Sequence, residues 1–181
     1  MALSEDIRRA VDQWTGSLRS LGAKIRWVSA DNLHVTVKFL GETPEEQLPA
    51  LIHAARDVLA GVSEFPLTIA DSGVFPPKGA PRVLWVGIHQ GGEALQDIAG
   101  RLNEAVEPLG FPKDTRPFRA HLTIGRVKSS SGMQAVLAEM EHAPDTFGDC
   151  RVTEVALQQS RLKSSGAEYT IIKQFALHGS V

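Results

Sequence analysis

Two short stretches carry residue types suited to proton transfer beside an anion: His34-Val35-Thr36-Val37 and His121-Leu122-Thr123-Ile124. On an extended strand, residues two apart share a face and lie about 6.6 to 6.8 Å from each other, so each stretch presents an imidazole and a hydroxyl side by side. Histidine titrates near neutrality. Of two imidazoles flanking one anion, one can take a proton from a nucleophile while the other, protonated, gives one to a leaving group. Threonine hydroxyls and a guanidinium can hold non-bridging oxygens and offset charge that grows in the transition state. That combination is equipped for phosphoryl transfer without a metal. A single copy would read as the solvated side of an amphipathic strand; its recurrence at equivalent places in the two halves of the chain is what singles it out.

Charge follows the same two places. Residues 24–38 carry Lys24, Arg26 and Lys38 against Asp31, a net +2, and residues 113–128 carry five Lys or Arg against Asp114, a net +4. The whole chain is at −2, so cationic charge is concentrated around the motifs and suits an anionic ligand held between them. The overall balance argues against a surface built to bind duplex nucleic acid, which needs an excess of Lys and Arg. At 181 residues, with 43% hydrophobic and 22% charged residues, the chain can bury a substantial core, which excludes intrinsic disorder and fibrous repeats. One cysteine, Cys150, excludes an internal disulfide, and no Cys-x-x-Cys or His-x-x-x-His spacing proposes a metal. The longest apolar runs are strand-sized and the first residues lack a hydrophobic signal core, so the expected setting is cytoplasmic, away from membranes.

The elements that must position the motifs follow from periodicity. Ile7, Val11, Trp14, Leu18 and Leu21 recur at helical spacing, which predicts a helix over the first 22 residues, capped by Ser4 and ended by Gly22. An extended stretch at 24–28 precedes an alternating strand at 33–40, in which Leu33, Val35, Val37 and Phe39 oppose His34, Thr36 and Lys38. A helix started by the Thr43-Pro44-Glu45-Glu46 capping pattern runs to Gly61, and strands follow around 65–70 and 83–88, with a Gly- and Pro-rich loop at 72–81. The second half repeats this order: a helix at 93–109, a strand at 118–124, a short helix at 133–140, and strands near 150–157 and 169–177. The expected class is α+β, largely antiparallel: a single domain over 1–181 in which an internal duplication gives two lobes around one cleft.

Beyond these readings, the chain resembles the two-histidine (2H) phosphoesterase superfamily, and within it the bacterial RNA 2',3'-cyclic phosphodiesterases, also called 2'-5' RNA ligases. The likeness runs through Asn32-Leu33-His34-Val35-Thr36-Val37-Lys38-Phe39-Leu40-Gly41, Gly73-Val74-Phe75 and Arg82-Val83-Leu84-Trp85-Val86-Gly87. It continues through Phe118-Arg119-Ala120-His121-Leu122-Thr123-Ile124-Gly125-Arg126 and Ser160-Arg161-Leu162 to Gly166 and Tyr169. The resemblance implies a bilobal fold of duplicated αβ units with two mainly antiparallel sheets around a central cleft, no cofactor, and opening of a terminal 2',3'-cyclic phosphate to a 2'-phosphate. It implies His34 as general acid for the leaving 3' oxygen, His121 as general base for water, and Thr36, Thr123 and Arg126 as phosphate anchors. Strict alternation puts Arg126 on the Leu122 face unless Gly125 introduces a bulge. The resemblance departs at the start, where members usually carry a hydrophobic strand ahead of the first helix, and at Ala120, where Pro is common.

The expected partners are RNA ends or cyclic nucleotides, met by a monomer. ATP-independent 2'-5' joining of RNA ends is implied by the family's other name. Two alternatives stand beside the leading reading: a phosphodiesterase for another cyclic nucleotide or a 2',5'-linked oligonucleotide, and a non-catalytic RNA-end-binding module. His53, His89, His142 and His178 read as surface residues, Cys150 as a small strand hydrophobe, and Trp14 and Trp85 as core. Trp27, Phe118 and Tyr169 could stack a base or fill the core.

Overall fold

A computed structural model describes residues 3–163 and 166–179 of the chain. Helix α1 (Glu5–Ser20) starts where the Ser4 hydroxyl accepts a hydrogen bond from the Ile7 amide at 3.4 Å. Glu5 and Asp6 in its first turn and Arg19 in its last complement the helix dipole. Its Ile7, Val11, Trp14 and Leu18 are buried, whereas Leu21, expected on the same stripe, is 40% exposed just past the helix end.

Strands β1 (Ile25–Trp27), β2 (Phe65–Phe75), β3 (Val83–Gln90), β4 (His121–Val127) and β5 (Gly148–Val152) form one sheet in the order β1-β4-β3-β2-β5. Every pairing in it is antiparallel. Its inner face is a row of fully enclosed side chains, Leu67, Ile69, Leu84, Val86, Leu122 and Ile124. On this core lie α1 and α4 (Met133–Met140), and Trp14 meets Phe147 with ring centroids 5.1 Å apart. Helices α2 (Leu48–Leu59) and α3 (Gly92–Val106) pack on each other, with Leu51, Val106 and Phe111 in a smaller cluster of their own. A long hairpin, β6 (Glu154–Lys163) and β7 (Gly166–Ala176), makes a separate two-stranded antiparallel sheet.

The two antiparallel sheets match the expected class, but they do not divide between the halves of the chain. Strands from both halves, β2 and β3 with β4 and β5, share the large sheet. The strand expected at 150–157 is two strands that part at Thr153 and enter different sheets, because β5 pairs with β2 while β6 pairs with β7. The alternating stretch at 33–40 is not a strand and bends at Val37: one isolated bridge, Val35 to Leu122, is its only ladder contact among the described residues. Phe39, placed on its apolar side by alternation, is 74% exposed. Strand β2 runs on to Phe75, into the expected loop, and β4 starts three residues later than the pattern suggested, at His121 itself.

Candidate active site

The isolated bridge between Val35 and Leu122 joins the middle residues of the two motifs. Antiparallel counting from that bridge sets His34 opposite Thr123 and Thr36 opposite His121. Val35 and Leu122 are 1% and 0% exposed, so all four polar side chains lie on the other face, around a local two-fold centre. The two histidines are diagonal neighbours across this bridge, a relation that sets such residues about 7 to 8 Å apart, with their Cβ atoms somewhat closer.

Both imidazoles are held in the same way. His34 Nδ1 lies 2.7 Å from the Asn32 carbonyl oxygen, and His121 Nδ1 lies 2.6 Å from that of Arg119. A carbonyl only accepts, so each Nδ1 carries a hydrogen and each neutral ring is left with Nε2 as its basic nitrogen. The Asn32 side-chain amide donates to the Ala167 carbonyl at 2.9 Å, tying this turn to β7. Tyr169 of the same strand meets the His34 ring edge-on, centroids 4.7 Å apart, and Phe75 meets the His121 ring edge-on at 5.1 Å. Burial pushes the His34 imidazole below its ordinary range, against the Asn32 carbonyl, which favours the charged ring.

Arg126 reaches the same face through a bulge. Leu84 pairs with Gly125 and Trp85 with Thr123, so Ile124 has no partner in β3 and Ile124 and Gly125 are both buried. Beyond the bulge Arg126 pairs with Val83, which lies two residues from Trp85 and therefore on the side of Trp85, Thr123 and His121. Gly125 permits this because a Cβ there would stand 2.7 Å from Ile25 Cγ2 and 3.2 Å from the Trp27 ring. Trp85, expected in the core, is half-buried on the site face, its indole against Gly73 and 5.3 Å from Phe75 by ring centroids. Thr36 is exposed and Thr123 half-buried. Among the described residues no group of three or more His, Cys, Asp or Glu side chains is arranged to hold a metal ion.

Residues 3–163 match the 2'-5' RNA ligase superfamily. The chain belongs to that family. It is 33% identical over 178 residues to the RNA 2',3'-cyclic phosphodiesterase of Methanothermobacter thermautotrophicus, covering 97% of this chain and 95% of that protein. The enzyme of the same name from Archaeoglobus fulgidus is 34% identical over 151 residues, 83% of each chain. The solved structure of E. coli LigT in its apo form superposes with a TM-score of 0.78 at 29% identity, covering 98% of this chain and 94% of that one. The chain is thus a 2H phosphoesterase with a LigT-like fold.

Within this member of the superfamily, the structure also sorts the remaining sequence candidates. Lys38, counted with the cations around the first motif, is engaged by the segment that leads into the second. Its Nζ donates to the Pro112 carbonyl at 2.8 Å and pairs with Asp114 at 3.2 Å, and its side chain is 5% exposed. Trp27 lies on the core side, under the Arg19 guanidinium at 5.9 Å, and Phe118 packs against the core. His53, His89, His142 and His178 are exposed, His53 pairing with Asp57 on the surface of α2, while His89 lies on β3 two residues beyond Gly87, the strand partner of His121. Cys150 is half-buried in β5, and burial pushes its thiol up. No helix is long and apolar enough to cross a membrane among the described residues. Sequence reasoning missed three contributors: the Asn32 and Arg119 carbonyls and the Phe75 ring. Both carbonyls lie two residues before a motif histidine; Phe75 stands in a stretch that carries the family resemblance, but its Gly- and Pro-rich context read as loop and gave it no contact with His121.

Proposed function

We propose that this chain hydrolyses terminal RNA 2',3'-cyclic phosphates to 2'-phosphates, using His34 and His121 as an acid and base pair and no metal. The observation that carries the reading is the Val35 to Leu122 bridge, which turns two motifs 87 residues apart into one face with two oriented imidazoles and two hydroxyls. Relatives named RNA 2',3'-cyclic phosphodiesterase, similar over nearly the whole chain, support the substrate class. In the proposed step, His121 Nε2 takes a proton from water as its oxygen bonds to phosphorus. The bond from phosphorus to the 3' oxygen breaks, and His34 Nε2 delivers the proton that this oxygen needs. Thr36 and Thr123 donate to non-bridging oxygens and Arg126 offsets their growing charge. The same steps in the same direction, with a ribose 5'-hydroxyl in place of water as the nucleophile, form the bond from its oxygen to phosphorus as the 3' oxygen leaves and give ATP-independent 2'-5' joining.

The test is to incubate the protein, in EDTA, with an oligonucleotide ending in a 2',3'-cyclic phosphate and to resolve the two phosphate isomers. Release of the 2'-phosphate is expected, and His34→Ala or His121→Ala should each lower kcat by about 10² to 10⁴-fold. Accumulation of the 3'-phosphate would reverse the acid and base roles. A rate restored only by a divalent ion, or unaltered in either variant, would remove the mechanism, and binding without turnover would favour the RNA-end-binding module.

A further inference from the structure

The large sheet continues past the proposed catalytic pair into a second cationic surface. Arg26 on β1 is the antiparallel partner of Arg126 on β4, and Arg126 is in turn the partner of Val83, so both guanidinium-bearing side chains rise from the site face. Ile25 and Trp27, on either side of Arg26, pack toward the core, which fixes that orientation. Directly opposed like charges on neighbouring strands are destabilising unless something anionic joins them. Around this pair stand Lys24, whose carbonyl accepts from the Lys128 amide, and Arg82, whose carbonyl accepts from the Val127 amide. Residues 24–28, 75–87 and 121–128, which meet here, contain no Asp or Glu. Among the described residues no side-chain hydrogen bond or ion pair engages Lys24, Arg26, Arg82, Arg126 or Lys128.

We infer that Arg26 forms a second phosphate subsite, which takes the backbone phosphate joining the terminal nucleotide of the RNA to the one before it. Arg126 sits one strand repeat beyond Thr123, about 7 Å along the sheet, and Arg26 lies on the far side of it. A step of that size is comparable to the separation of successive phosphates along an extended strand, so a chain whose end phosphate lies between the histidines passes its next phosphate over Arg26. A mononucleotide does not reach it. The inference rests on the phosphodiesterase reading above and makes the enzyme selective for oligonucleotide ends over free cyclic nucleotides.

The experiment compares a nucleoside 2',3'-cyclic monophosphate with a trinucleotide ending in a 2',3'-cyclic phosphate, for wild type, Arg26→Ala and Arg26→Lys, across a range of salt concentrations. Arg26→Ala should lower kcat/KM on the trinucleotide about tenfold more than on the mononucleotide, as loss of a charge-assisted contact does. It should also flatten the dependence of log kcat/KM on log salt by about 0.7 for the trinucleotide, the contribution of one single-strand phosphate. Arg26→Lys, which keeps the charge, should retain most of both effects. Equal losses on the two substrates, or no loss on either, with wild type active, would overturn this inference and leave the phosphodiesterase reading intact. A wild type that turns over neither substrate would remove both.

Discussion

A carbonyl oxygen two residues upstream fixes the orientation of each site histidine, yet the surroundings of the two rings differ. His34 is the more enclosed, with Tyr169 against its edge and burial holding its charged form below the usual range. An anionic phosphate seated beside it favours the imidazolium and moves the midpoint back up, so ligand binding itself readies the proposed acid. In the free protein, the NMR titration midpoint of the His34 ring should therefore lie below 6.5, and inorganic phosphate should raise it. The same shift bears on folding. The unfolded chain takes up this proton at higher pH than the folded protein, so between the two midpoints the unfolded state holds more protons. Stability from this group is present above the unfolded value of about 6.5 and is lost as pH falls through the folded midpoint. Urea unfolding should show that acid-side loss in wild type and less of it in His34→Gln. A midpoint at or above 6.5 without ligand would contradict the burial argument.

Secondary elements place these residues by devices of unequal visibility in sequence. Helix α4 spans the residues that periodicity assigns, and α1 begins at its predicted Ser4 cap, because a helix is stabilised by contacts within three or four residues of sequence. A strand is defined by its partners, which the pattern of one segment does not name. Hence Leu33 and Val35 are buried as alternation requires, while the segment that carries them finds a single bridge in place of a ladder. The break at Thr153, which sends β5 and β6 to different sheets, also left no mark in the alternation. The motif pair and its shared polar face were legible, since period two alone sets which side chains share a face. Arg126 was ambiguous because one extra residue in β4 inverts that rule, and Gly125 is what accommodates it. Replacing Gly125 with Val forces a Cβ to within 2.7 Å of Ile25 Cγ2, so the strand must shift. The variant should lose about 1 to 3 kcal/mol by urea unfolding, the range for overpacking, and bind inorganic phosphate more weakly as Arg126 turns from the site face. A destabilised variant with unchanged phosphate affinity would separate Arg126 from the anion site.

At the scale of the whole molecule, the site exists only because distant parts of the chain are tied together, and the ties are hydrogen bonds, an ion pair and a ring contact. The Asn32 amide on the Ala167 carbonyl and the Tyr169 ring on His34 bring the β6–β7 hairpin to the first motif. On the other flank, Lys38 spans from the first motif to the segment leading into the second, through the Pro112 carbonyl and the Asp114 carboxylate. In the sequence Lys38 and Asp114 are only charges near the motifs; in the fold they pair with each other. Enclosure of the Lys38 side chain makes this a contact whose partners are costly to leave unpaired, even though Asp114 is half exposed and partly screened. Lys38→Met keeps most of the apolar stem and removes the donor. It should lower stability by about 1 to 3 kcal/mol while leaving the affinity for inorganic phosphate unchanged. A Lys38 that served the anion site would give the opposite result, weaker phosphate binding with an unaltered urea midpoint, so one variant measured both ways decides whether this lysine holds the two motifs together or faces the ligand between them.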